Sequence, residues 1–241
     1  MGEPMMLFLH ETHSGRGSKE ADFDAAYREG WMGRLASGND ARLLYFLRQA
    51  AGTGPSYRVI TITALRDGAA WQELARRVEC GDLAKWSDDV DELRHDVDAK
   101  ILIPLPWSPL QSVPLEEVPT TPTEKPLSLF MEDTVWPEEG KLSAYIERSG
   151  SHYAEEMKNP GGQGRRILTV DASFRTAMGT GRRREIVLWQ KVQHPEGMQR
   201  LLFNEIPSEY MQPGNWMHDA LELRDQWHSR LLRTASWSPL N

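Results

Sequence analysis

The sequence is short of three things, and each shortage excludes a class of protein. It has one cysteine, Cys80, in 241 residues, which rules out an internal disulfide and a multi-thiolate metal site and agrees with a reducing compartment. The thiol itself reads as a helix-packing group. It has no apolar run near the ~18 residues that a membrane-spanning helix needs. Runs such as Met5 to Leu9 are far shorter, and no charged, apolar, cleavable leader opens the chain. A cytoplasmic protein without a membrane partner is therefore expected. Finally, it has no excess of positive charge: 28 Lys and Arg face 35 Asp and Glu, a net charge of −7. A phosphate backbone is a poor partner for such a chain, so no nucleic acid is expected. The basic run Arg182-Arg183-Arg184 follows Gly179-Thr180-Gly181 between two strand-like segments and reads as a solvated hairpin tip.

What is present is a globular composition, 39% hydrophobic with nine tryptophans, and an internal repeat. Trp107-Ser108-Pro109-Leu110 recurs 130 residues on as Trp237-Ser238-Pro239-Leu240, and the same offset pairs Trp86 with Trp216, Asp89 with Asp219, and Glu92-Leu93-Arg94 with Glu222-Leu223-Arg224. Nearer the start, Leu7-Phe8 pairs with Leu129-Phe130 and Thr12 with Thr134 at an offset of 122. The drift places eight extra residues in the second copy's loops. Residues 1–110 form one unit and 127–241 the other. Between them, 111–126 carries four prolines and reads as an extended tether.

Within the first unit the pattern predicts a strand over Met6–Thr12, then a helix over Ala21–Leu35 with Phe23, Tyr27, Trp31 and Leu35 on one face. Two β-rich runs follow, Arg42–Gln49 and Tyr57–Leu65, then helices over Gly68–Val78 and Ser87–Val97 and a closing strand over Lys100–Leu105. The second unit repeats the order: strand Leu127–Thr134, helix Lys141–Met157, strands Arg166–Phe174 and Glu185–Val192, a helical region from His194 through Trp227, and strand Leu231–Ala235. Each is a β-α-β-β-α-β, or ferredoxin-like, unit.

Two such units in tandem resemble the dimeric α/β-barrel superfamily, in particular its EthD-like, NIPSNAP-like and chlorite-dismutase-like members. That resemblance implies an α+β fold in which two ferredoxin-like units pack sheet to sheet as an intrachain barrel. It also implies a range of functions: cofactor-free oxygenases and cyclases acting on aromatic or polyketide-like molecules, small-compound degradation, and haem proteins. No catalytic motif accompanies it.

The residues add candidates. His10 and Glu132 fall at equivalent positions of the two first strands, where burial would tune an acid or base. His152 lies on the second unit's first helix, and Asp171 and Lys191 fall inside strands of the second unit, where inward-facing charges need partners or a polar cavity. Trp86, Trp107, Trp216 and Trp237, shared by both copies, read as packing, leaving Trp31, Trp136 and Trp189 to line a pocket for a ligand. The expectation is an enzyme (oxygenase, cyclase or lyase) acting on a small hydrophobic or aromatic molecule by acid–base chemistry, with no cofactor and no metal. Two alternatives stay open: a haem protein ligated by His152 or His218, and a non-catalytic binding or assembly protein. A homo-oligomer is compatible with either.

Overall fold

The β-branched and aromatic runs become strands, and the amphipathic runs become helices that cover them. A computed structural model of the chain describes residues 5–158, 167–178, 183–194, 199 and 208–241. The glycine turn Gly179–Gly181, the adjoining Arg182 and residues 195–198 and 200–207 of the expected helical region lie outside the described residues; the rest of that region holds only short helical turns, and Gln226 and Trp227 already belong to the last strand. The architecture is α+β, two ferredoxin-like units in tandem. The chain divides into a first unit of Met1–Ile103, Ser112–Ser128 and Leu231–Asn241, and a second of Pro104–Gln111 and Leu129–Arg230.

In the first unit, strands β1 (Leu7–Gly15), β2 (Ala41–Gln49), β3 (Arg58–Leu65) and β4 (Arg94–Pro104) pair antiparallel in the order β4-β1-β3-β2, the ferredoxin-like order. The first helical segment runs as α1 (Glu20–Ala25), a π-turn (Ala26–Trp31) and α2 (Met32–Ala36). Its buried Phe23, Tyr27, Trp31 and Leu35 join Leu43, Phe46, Val59 and Leu65 of the sheet in one core. Helix α3 (Gly68–Cys80) starts where Asp67 accepts a hydrogen bond from the Ala70 amide at 2.9 Å, satisfying one of its orphan donors.

The second unit repeats this with β5 (Leu129–Trp136), β6 (Leu168–Thr176) and β7 (Ile186–Val192), ordered β5-β7-β6. Strand β8 (Gln226–Thr234) begins in this unit and ends in the first, where Leu47, Arg48 and Gln49 pair with Thr234, Arg233 and Leu232. The first helix of this unit is again interrupted: α5 (Leu142–Arg148), a π-turn (Ser149–Ala154), then α6 (Glu155–Lys158). Both π-turns carry a glycine against a tryptophan. A Cβ at Gly30 would lie 2.7 Å from Trp86 Nε1, and one at Gly150 would lie 2.6 Å from Trp107 Cδ1. The bulges correspond too, since Leu44 in β2 and Asp171 in β6 are the extra residues of their strands, 127 positions apart.

Three expectations need correction. The helix predicted over Ser87–Val97 is α4 (Ala84–Asp91), and β4 begins already at Arg94, because 94–98 pair with Gly15–Thr12 of β1. Tertiary pairing overrides the local helical pattern there. The proline-rich stretch is not a free tether: Leu115 and Val118 are buried, and a 3-10 turn spans Leu115–Glu117. Cys80 is exposed, its thiol 3.4 Å from the Arg76 carbonyl, so it packs nothing.

The repeated Trp-Ser-Pro-Leu ends act alike, each in the unit that its own sequence copy does not begin. In the second unit, Leu105 N–H bonds Ser173 O at 2.8 Å and Ser108 Oγ accepts from Ser173 N–H at 2.9 Å. In the first, Ala235 N–H bonds Phe46 O at 3.0 Å and Ser238 Oγ accepts from Phe46 N–H at 3.1 Å. Trp107 donates to Ile146 O at 2.9 Å and Trp237 to Asp24 Oδ1 at 3.0 Å.

Candidate functional site

Side chains alternate across a strand, so His10 and Thr12 share one face of β1 while Glu11 and His13 share the face that α1 and the π-turn cover. There the first unit holds a buried polar cluster. Arg94 Nη1, which can only donate, sits 2.8 Å from His13 Nδ1. The ring proton is therefore on Nε2, 3.1 Å from Thr61 Oγ1 and 3.3 Å from the Tyr27 hydroxyl. Thr61 in turn donates to Glu11 Oε2 at 3.2 Å. Burial first, then the positive Arg94, holds His13 well below the usual histidine range. Burial likewise pushes the Glu11 carboxyl up, with Arg94 and the Thr61 bond opposing it.

This cluster is chemically closed. The one lone pair with which neutral His13 could take a proton is occupied by a cation, and Arg94 is also bonded to Asp91 Oδ1 through Nε (2.9 Å) and Nη2 (2.5 Å). Around it, Phe23 and Tyr27 lie at ring-centroid distances of 5.2 and 5.5 Å from His13. Such a network orders a core more readily than it turns over substrate.

The second unit has the same layout with its valences open. Asp133, 122 residues after Glu11, is half-buried on the corresponding face of β5. It accepts hydrogen bonds from Gln190 Nε2 at 2.9 Å and from the Ser229 hydroxyl at 2.5 Å, and Tyr153 donates to the carbonyl oxygen of Gln190. Desolvation raises the Asp133 carboxyl, the Ser229 and Gln190 bonds oppose that, Glu132 adds to it and Arg224 opposes it. Burial also pushes Tyr145 up to about 12 and Tyr153 well above the usual tyrosine range, so both hydroxyls keep their protons. The rings of Tyr145 and Tyr153 stand 5.5 and 6.2 Å from Trp216 and complete an aromatic wall.

Arg224 matches Arg94 at the 130-residue offset but is bonded differently. Only 4% exposed, it faces the Tyr145 hydroxyl and stacks on the Trp227 ring at 4.2 Å. Its Nε and Nη1 are sealed from solvent and have no hydrogen-bond partner among the described residues. A buried unsatisfied donor costs about 1–3 kcal/mol, so two of them on one side chain mark a place where stability is spent on something else.

Each residue expected from sequence has its own surroundings within its unit. Glu132 is fully buried, but in an ion pair with Arg230, Nε to Oε1 3.1 Å. His10 is buried on the first unit's β1, opposite Ile62 and Lys100. Asp171 is half-buried at the β6 bulge; desolvation raises its carboxyl and Lys191 opposes the rise. Trp31 stacks on Trp86 at 4.4 Å and Trp189 packs on Phe130 at 5.4 Å, both buried in the core; Trp136 donates to Glu185 Oε1 at 3.1 Å.

His152 faces solvent with Nδ1 3.1 Å from Arg148 O, and His218 is paired at the surface with Asp219 at 2.9 Å. A haem-ligating ring must point into an enclosed slot, whereas the His152 ring is exposed and the His218 ring is spent on Asp219. These two histidines do not fit a haem. Among the described residues there is also no group of three or more His, Cys, Asp or Glu side chains placed to hold a metal ion, and no helix long and apolar enough to cross a membrane.

The signal that could have found the site was the repeat itself. Glu11 and Asp133 stand at the His10/Glu132 offset, one residue on. Glu-Leu-Arg is identical in both copies, and its arginine, at or just before the fourth strand, acts on the carboxyl of the first strand through space.

Fold and layout define the structural class as a tandem ferredoxin-like α+β protein. No protein-family model matches the chain, and no curated protein matches it. Solved structures do. A candidate monooxygenase from Lactobacillus acidophilus NCFM superimposes with a TM-score of 0.60 at 10% identity over 97% of each chain. An anthrone oxidase-like protein gives 0.58 at 6% identity over 96% of this chain and 91% of its own. The encapsulated DyP-type peroxidase of Mycobacterium smegmatis gives 0.53 at 9% identity over 98% and 94%. These likenesses establish the fold.

Proposed function

We propose that the protein is a cofactor-free oxygenase-type enzyme that removes a proton from a small hydrophobic, enolisable aromatic molecule in its second unit. The observation that carries this reading is Asp133, a half-buried carboxylate with a raised proton affinity, without a direct ion pair among the described residues and oriented by Gln190 and Ser229. A general base is most effective when its proton affinity approaches the working pH, and desolvation moves Asp133 that way. Tyr153, Tyr145 and Trp216 supply an apolar, aromatic surround with hydroxyls that stay protonated.

Anthrone, suggested by one structural neighbour, illustrates the balance. Asp133 takes the ring-methylene proton, and the carbanion adds dioxygen to give a peroxide anion. That anion recovers the proton from Asp133, and loss of water across the C–H and O–O bonds leaves the ketone. Anthrone plus dioxygen thus becomes anthraquinone plus water. Dioxygen uptake with anthrone tests the reading: positioned general bases contribute about 10²–10⁴-fold, so Asp133→Asn should lower kcat about a hundredfold or more. Equal uptake by wild type and variant would overturn it.

A further inference from the structure

Resting on that reading of Asp133, we infer that Arg224 is the substrate's oxygen-anion site: the ligand presents an enolate or phenolate oxygen to the unpaired N–H groups of a buried guanidinium roofed by Trp227. Valence separates the two arginines. Arg94 and Arg224 occupy equivalent places, yet Arg94 spends its guanidinium on His13 and Asp91, whereas Nε and Nη1 of Arg224 are spent on nothing among the described residues.

An arginine kept out of water holds a full positive charge, which attracts an anionic oxygen far more strongly than it could in solvent. The nearby carboxylate does not neutralise it by direct pairing: Asp133 acts on Arg224 through space, with its own oxygens held by Gln190 and Ser229. The two groups thus divide the work, one receiving the proton and the other holding the charge that proton leaves behind. Trp227, stacked on Arg224 at 4.2 Å and itself 42% exposed, carries this site to solvent. A planar aromatic ring is the shape that a stacked guanidinium–indole wall accepts. The substrate class is therefore a flat phenol or aryl ketone, with its oxygen adjacent to the acidic position.

The experiment uses para-nitrophenol, whose phenolate is yellow, titrated with full-length protein below the phenol's own pKa. An opposite charge at close range lowers an acid's pKa by about 1–3 units, so binding to wild type should raise the ratio of phenolate to phenol tenfold or more. Arg224→Gln should abolish that shift, and Arg224→Lys, which keeps the charge, should retain part of it. Asp133→Asn should keep the shift while losing dioxygen uptake with anthrone. Unchanged ionisation in the presence of wild type, or a shift that persists in Arg224→Gln, overturns the Arg224 assignment. A full anthrone rate in Asp133→Asn alongside a normal shift overturns the base instead and leaves the anion site standing.

Discussion

At the scale of the residue, the two units show how one layout can be closed or open. Glu11 and Asp133 are both half-buried carboxyls raised by desolvation, but Glu11 feeds a chain ending on a cation, whereas Asp133 is held only by neutral donors. A carboxyl whose folded pKa is raised above its unfolded value, about 3.9 for aspartate, costs stability. The cost begins as pH climbs past the unfolded value and is complete above the folded one. Asp133→Asn removes that cost, so the variant should melt at or above wild type at neutral pH, and any advantage should vanish toward acid, where both side chains are neutral. Thermal melts across that range check it; a variant less stable at neutral pH than in acid, relative to wild type, would contradict the raised carboxyl. The candidates read from sequence were buried titratable groups as expected, yet His10 and Glu132 stand on the other face of their strands. A one-residue step decides which face a strand residue serves, and the repeat alone could not say which face the helices cover.

At the scale of the element, the interrupted helices and the strand ends position the site. Element order was legible because hydrophobic periodicity survives in both copies. The π-turns, the early start of β4 at Arg94 and the placement of Arg224 just before β8 were not, because they are set by pairing and packing with distant residues. A π-turn holds one residue more than the regular helix. Deleting Ser151, exposed within the second π-turn, should rotate the rest of that helix by about 100° and carry Tyr153 off Gln190, lowering activity in a chain with unchanged circular dichroism. A deletion variant with full activity would show that the π-turn positions nothing in the site. The strand ends give a matched pair of tests. Ser108 and Ser238 are buried acceptors for Ser173 and Phe46 amides, and leaving such an amide unpaired costs about 1–3 kcal/mol. Ser108→Ala and Ser238→Ala should each lose that much in denaturant melts; a neutral result at either would mean that the corresponding end is not docked as described.

At the scale of the whole molecule, each compact unit is completed by a stretch from elsewhere in the chain: Pro104–Gln111 belongs with the second, Leu231–Asn241 with the first. Trp237 shows what the first unit gains, packing at 4.7 Å on Phe46 and bonding Asp24. Truncation after Thr234 should therefore destabilise the first unit although the cut lies at the far end of the sequence. The strongest identities of the repeat gather on either side of the fourth strands. They include both docking residues and, in Arg94 and Arg224, the arginine of each buried cluster, so shared sequence marks the site's frame while divergence around it sets which cluster is open.

The proposed chemistry stands on the second unit being the reactive one. The direct measurement is the rate of dioxygen uptake with anthrone for Asp133→Asn set against Glu11→Gln, the same chemical change at equivalent positions of the two units. The prediction is a loss of about a hundredfold or more in Asp133→Asn and a rate close to wild type in folded Glu11→Gln. The reverse pattern, activity surviving at Asp133 and lost at Glu11, would contradict it.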